Sequence, residues 1–159
     1  MAEKEFTHVD DRGAARMVDV SGKDVSVREA TATGAVLLST EVVALLRGAG
    51  VPKGDALAVA RIAGIQAAKR TPDLVPLCHP IAIHGVTVDL EVLDDRVAIS
   101  ATVRTADRTG VEMEALTCAS VAALALVDMV KAVDPAAVIT DVRVEEKLGG
   151  KTGVWRRPS

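Results

Sequence analysis

Strand-like and helix-like patterns of apolar and polar residues succeed one another along most of this chain. "REATATGAVLLS" (28–39) is a run of Thr, Val and Leu with strand character. "STEVVALLRGAG" follows as a short helix, with Ser39 as its N-cap and Gly48 and Gly50 as stops. "KGDALAVARIAGIQAAKR" (53–70) is a long Ala-rich helix. Pro72 ends it, and Pro76 and Pro80 hold the next residues out of helix. "HGVTVDLEVLDDRVAISATVRTAD" (84–107) alternates on both sides of Asp94-Asp95, which predicts a β-hairpin. Residues 109–135 carry the strongest helical pattern and are closed by Pro135, and 137–148 alternate again.

The predicted order is β, α, α, β, β, α, β. Without the short first helix this is β-α-β-β-α-β, the ferredoxin-like split motif. We therefore expect an α+β fold, with two helices over one face of a four-stranded antiparallel sheet. Residues 30–148 form the domain, 1–29 an extended arm rich in charge, and 149–159 a flexible tail. No segment remains to cover the second sheet face, so other subunits are expected to supply that cover.

Composition narrows the function classes. A length of 159 residues suits one domain, and 49 % apolar residues, much of it Ala and Val, predicts a core in which helices approach closely. With 22 acidic and 19 basic residues the net charge is −3, so the chain has no general attraction for nucleic acid or anionic membrane. One Phe, one Trp and no Tyr leave out the stacking platforms of single-strand binders. Any anion site is therefore local. The polar N-terminus, the absence of a charge-free apolar run of membrane length and a cysteine count of two predict a reduced, cytoplasmic protein without a membrane span or disulfide framework.

Four groups of residues carry candidate chemistry. "VPLCHPIAIH" concentrates Cys78, His79 and His84. Adjacent Cys78 and His79 suit one tetrahedral metal poorly, and no CxxC or HxxxH pair accompanies them, so no metal ligand is assigned. A proline-bracketed loop with a buried Cys78 is the bland reading. A pocket wall in which Pro76 and Pro80 fix the aim of His79 is the functional one. In "TGVEMEAL", Thr109 and Glu112 fit a capping box; Glu114 lies beyond what capping explains. Asp128 and Lys131 share one helix face. From its spacing such a pair is a surface ion pair; its apolar surroundings point to partial burial, and a buried pair is suited to proton transfer. Glu112 and Asp128 are sixteen residues apart on one helix, about 24 Å. Both can serve one small substrate only if a neighbouring chain completes the site. Single cations are usually solvated surface charges. Lys53 in "VPKGD" is more suggestive, because a helix start favours anions.

Taken together, "FTHVDDRGAARMVDVSGKD", "KGDALAVARIAGIQAAKRTPDLVPLCHP", "TGVEMEALTCASVAAL", "DMVKAV" and "EEKLGGKTG" resemble the cyclic pyranopterin monophosphate synthase family, the MoaC proteins of molybdenum-cofactor biosynthesis. The resemblance runs over nearly the whole chain. It implies a ferredoxin-like fold, a hexamer built as a trimer of dimers, and active sites at the dimer interface. It implies conversion of 3′,8-cyclo-7,8-dihydroguanosine 5′-triphosphate to cyclic pyranopterin monophosphate and diphosphate. The family's substrate-contacting positions match Leu77, Cys78, His79, Met113 and Glu114; Glu112 is expected, on its own chemistry, to assist from the same region. Its acid–base position matches Asp128, with Lys131 beside it. Lys53, Lys69, Lys147 and Arg28 match cations of the family site. No cofactor is required by the sequence, although a triphosphate commonly brings Mg²⁺. The competing readings are a carrier that holds an anionic nucleotide-like intermediate without transforming it, and a metal-binding structural protein using Cys78, His79 and His84.

Overall fold

The structure, a computed structural model, describes residues 5–48, 50–51 and 55–159. Its elements are β1 (Ser26–Leu37), α1 (Thr40–Arg47), α2 (Ala56–Ala68), α3 (Thr71–Leu74), β2 (Gly85–Val92), β3 (Arg96–Asp107), α4 (Glu112–Val130), β4 (Val138–Leu148) and β5 (Trp155–Arg156). The strands form one antiparallel sheet in the order β2-β3-β1-β4-β5. The first four strands reproduce the expected ferredoxin-like arrangement. β5 is an addition at the β4 edge, so the segment 149–159 that the sequence suggested was a flexible tail contains a two-residue paired strand.

Local chemistry explains the boundaries. Ser39 caps α1 by accepting from the Val42 N–H, and Asp55 caps α2 by accepting from the Ala58 N–H. Asp134 Oδ2 accepts the Ser39 N–H at 2.8 Å and so ties the α1 start to the turn after α4. The chain leaves α2 at Ala68, and Pro72 sits in the first turn of α3, where a missing N–H costs nothing. Pro72 thus opens a helical turn as well as bounding the long helix. α4 stops at Val130, before Pro135.

The core lies between the sheet and the helices. Ala30, Ala32 and Val36 of β1 and Val97, Ile99, Ala101 and Val103 of β3 turn inward against Ala115, Cys118, Ala119, Ala122 and Leu126 of α4. Small residues set the spacing. A Cβ at Gly64 of α2 would stand 3.0 Å from the Cys118 carbonyl oxygen, so the two helices meet backbone to backbone. Among the described residues, α4 alone is long and apolar enough to cross a membrane by length and composition. Half of its most apolar window is buried in this fold, which identifies it as the core helix.

The opposite sheet face is polar and carries ion pairs such as Arg104–Glu29 and Arg143–Glu145. Thr31 and Thr102 share a hydroxyl hydrogen bond of 2.9 Å, and Thr33 Oγ1 donates to Glu145 Oε1 at 2.9 Å.

Candidate functional site

The loop from Val75 to His84 and the start of α4 converge on a cleft of about 750 Å³. Leu77, Cys78, His79, Glu112 and Met113 line it together with Thr109 and Gly110. The loop is fixed at its far end, where Thr105 Oγ1 of β3 donates to the Ala82 carbonyl and the His84 N–H donates to Arg104 O at 2.9 Å. His84 therefore closes the loop onto the sheet, one residue before β2.

His79 is held by more than its prolines. Its Nε2–H donates to the Val18 carbonyl at 2.5 Å, so in the neutral ring Nδ1 is the acceptor. His8 and Ala15 of the arm also line the cleft. The arm folds back on itself there, with a bridge between Val9 and Ala15 and with the Arg12 and Ala14 N–H groups donating to Asp10 Oδ1. Sequence reasoning missed this contribution, because the arm has no apolar periodicity. The readable trace was the spacing of Asp10 and Gly13, a turn signal.

Glu114 lies behind the cleft and is 2 % exposed. The Cys78 thiol donates to Glu114 Oε1 at 3.5 Å, and Oε2 is buried without a hydrogen-bond partner. Burial raises the Glu114 carboxyl above its ordinary value of 4.5. Burial, with the nearby Glu114 charge, pushes the Cys78 thiol up to about 11. Cys78 is thus a neutral thiol at physiological pH, a wall and a donor rather than a nucleophile.

A carboxyl that holds its proton more tightly folded than unfolded adds most stability below pH 4.5, and that contribution is lost as pH rises through its folded value. Relative to Glu114→Gln, the parent protein should lose melting temperature progressively from pH 4.5 towards neutrality. A constant difference across that range in parallel thermal scans would remove the buried ionisation.

Glu112 does not cap its helix. The residue before α4 is Val111, without a side-chain cap, so the Thr109–Glu112 capping box expected from the sequence is not formed. The Glu112 carboxylate instead folds over Gly110, in space a Cβ there would take, and pairs with Lys147 Nζ at 3.1 Å. That ion pair draws it from the helix end. Arg28, half-buried, donates from Nε to Asp107 O at 3.2 Å, and its guanidinium packs on Gly150. Arg28 of β1 and Lys147 of β4 thus lie on paired strands, and Lys147 holds Glu112 beside them.

Asp128 and Lys131 sit at the far end of α4, paired at 2.6 Å. Their side chains are 54 % and 57 % exposed in the single chain, so the partial burial expected from the apolar sequence is absent. They occupy the turn of α4 that faces away from the sheet, while Met129 and Val130 face in. Neither borders the cleft. Lys69, the C-cap of α2, is exposed as well. Lys53 lies outside the described residues. One chain therefore brings together the loop, Glu112, Met113, Glu114 and Lys147, and leaves the Asp128–Lys131 pair apart. Cys78, His79 and His84 have separate partners in Glu114, Val18 and β3.

A model of the MoaC family matches residues 17–150. A cyclic pyranopterin monophosphate synthase from Nocardioides sp. is 72 % identical over 98 % of this chain and 97 % of its own. The protein of that name from Streptomyces avermitilis is 70 % identical over 98 % of this chain and 92 % of its own. Cyclic pyranopterin monophosphate synthase 2 of Mycobacterium tuberculosis is 59 % identical over 96 % of this chain and 92 % of its own.

Proposed function

The chain belongs to the MoaC family, and we propose that it carries out the cyclic pyranopterin monophosphate synthase reaction of molybdenum-cofactor biosynthesis in an oligomer whose sites are shared between chains. The substrate is 3′,8-cyclo-7,8-dihydroguanosine 5′-triphosphate, and the products are cyclic pyranopterin monophosphate and diphosphate. The full-length likeness to synthases of this name carries the reading, and the cleft supports it. Rearranging the sugar–base framework needs proton transfers, and expelling diphosphate needs cations on a chain that is acidic overall.

In this reading His79 offers the free Nδ1 lone pair that its bond to Val18 leaves. Glu114, its Oε2 unpartnered behind the cleft, holds the purine end with Glu112. Asp128 and Lys131 exchange protons with the rearranging framework. Arg28, Lys69 and Lys53 bind phosphates, and any Mg²⁺ belongs to the triphosphate.

The separation of Asp128 from the cleft supports completion of each site by a second chain. Two surfaces suit assembly: the polar open sheet face, and the outer side of the helical layer, where Ile62 of α2 and Leu124 of α4 are 64 % and 59 % exposed. A hexamer, as a trimer of dimers, uses both. The setting is the cytoplasm, where two free thiols stay reduced.

Incubation with the cyclised nucleotide tests the reading: diphosphate release at turnover rates is expected. Tight binding of the nucleotide with no diphosphate formed would leave a carrier instead.

A further inference from the structure

We infer that Trp155 is the stacking wall for the purine-derived base of the substrate, with Lys147 and Glu112 reading the edge of that base. The inference rests on the reaction assigned above and adds a residue beyond the 17–150 span that the family model matches.

Trp155 is the cross-strand partner of Lys147, and such partners project from the same sheet face as near neighbours. Together with Glu112 and Val144 these two side chains line a pocket of about 290 Å³. Glu112 also lines the cleft of His79 and Cys78, so the two spaces meet at one carboxylate. The indole is supported from β4. The Arg157 guanidinium lies 5.8 Å from its ring centroid, and Arg157 is itself anchored, its Nε donating to Val144 O and its N–H to Glu145 O, each at 2.8 Å. The ring is thus braced by a cation, and 38 % of the residue stays exposed. A braced, part-exposed indole beside a polar pair suits a planar heterocycle.

The polar pair specifies which heterocycle. Lys147 only donates and Glu112 only accepts, and they stand 3.1 Å apart. A guanine-type edge presents a carbonyl acceptor beside two N–H donors, so the carbonyl meets the ammonium and the N–H groups meet the carboxylate. An adenine-type edge puts an amine where the carbonyl should be, opposite the ammonium.

Trp155 is the single tryptophan of the chain, so its emission reports this wall alone. The full-length protein is titrated with GTP, which carries the same base edge as the substrate, and in parallel with ATP and inorganic tripolyphosphate. Saturable quenching by GTP at concentrations where the other two leave the emission unchanged is expected. By calorimetry, Trp155→Ala should weaken GTP binding about tenfold or more, and Trp155→Phe should return it to within about threefold of the parent. In turnover the loss should fall on KM rather than kcat, a split that a merely folded-state role would not give. Parent-like GTP affinity in Trp155→Ala, or equal quenching by tripolyphosphate, would overturn the proposal. The wall and the reaction fail separately. Diphosphate release with an unchanged KM in Trp155→Ala removes the wall alone. A Trp155-dependent GTP site in a protein that releases no diphosphate removes the reaction alone.

Discussion

Asp128→Asn is expected to lower kcat by about 10²–10⁴-fold while leaving substrate affinity nearly unchanged, the loss typical of a removed general acid–base group. The substitution keeps the shape of the side chain and an oxygen able to accept from Lys131 Nζ, now 2.6 Å away. What it removes is the capacity to take up and return a proton. Because both side chains are more than half exposed, no fold-wide destabilisation should accompany the change, and thermal scans should overlay. The geometry also makes a second, sharper demand. Asp128 lies at the opposite end of α4 from Glu112 and the His79 cleft, so the shared-site reading proposed above requires the two halves of a site to come from different chains. Asp128→Asn and His79→Ala proteins, each nearly inactive, should regain measurable diphosphate release when unfolded and refolded together, since some mixed interfaces then hold one intact site. Failure of complementation in verified mixed oligomers would place both residues in one chain's site or remove one of them from the chemistry.

The fold was legible because periodicity survives where burial is one-sided. The alternation of 84–107 and the helical run from 109 translate directly into β2, β3 and α4, since each must turn an apolar side to a single core. The loop that aims His79 was legible through its prolines, although the Val18 carbonyl that holds the ring was not: a backbone acceptor has no sequence signature. The exposure of the Asp128–Lys131 pair was misread for a related reason. An apolar helix of Ala and Val records that several of its faces are covered, by sheet, by α2 or by another chain, without saying which. The Glu112–Lys147 pair was out of reach too, because it joins the start of α4 to the end of β4, and no local pattern encodes that register. β5 was missed because two paired residues are too few to show alternation. Its signal lay in the glycines before it.

Those glycines carry the second large effect: Gly149→Ala should lower Tm by roughly 5–10 °C and release β5 from the sheet. Gly149 has φ +85°, a conformation that costs a side chain strain in itself. More decisively, a Cβ there would fall on the Val27 carbonyl oxygen. That atom belongs to the central strand, paired with β3 through Val27 and Ala106, so it has no rotamer through which to yield. The turn must open instead. Two consequences separate this from generic destabilisation. Trp155 emission should shift to the red as the indole loses its place beside Lys147, and KM should rise at temperatures well below the new Tm, because Glu112 and Lys147 lose the wall beside them. Gly153 provides the control. It also has positive φ, at +66°, but a Cβ there meets nothing within 4 Å, so Gly153→Ala should cost only the backbone strain, about 1–2 kcal/mol, and leave emission and KM near the parent values. If Gly149→Ala behaved like Gly153→Ala, the contact between the β4–β5 turn and β1 would not be what holds the wall of the site.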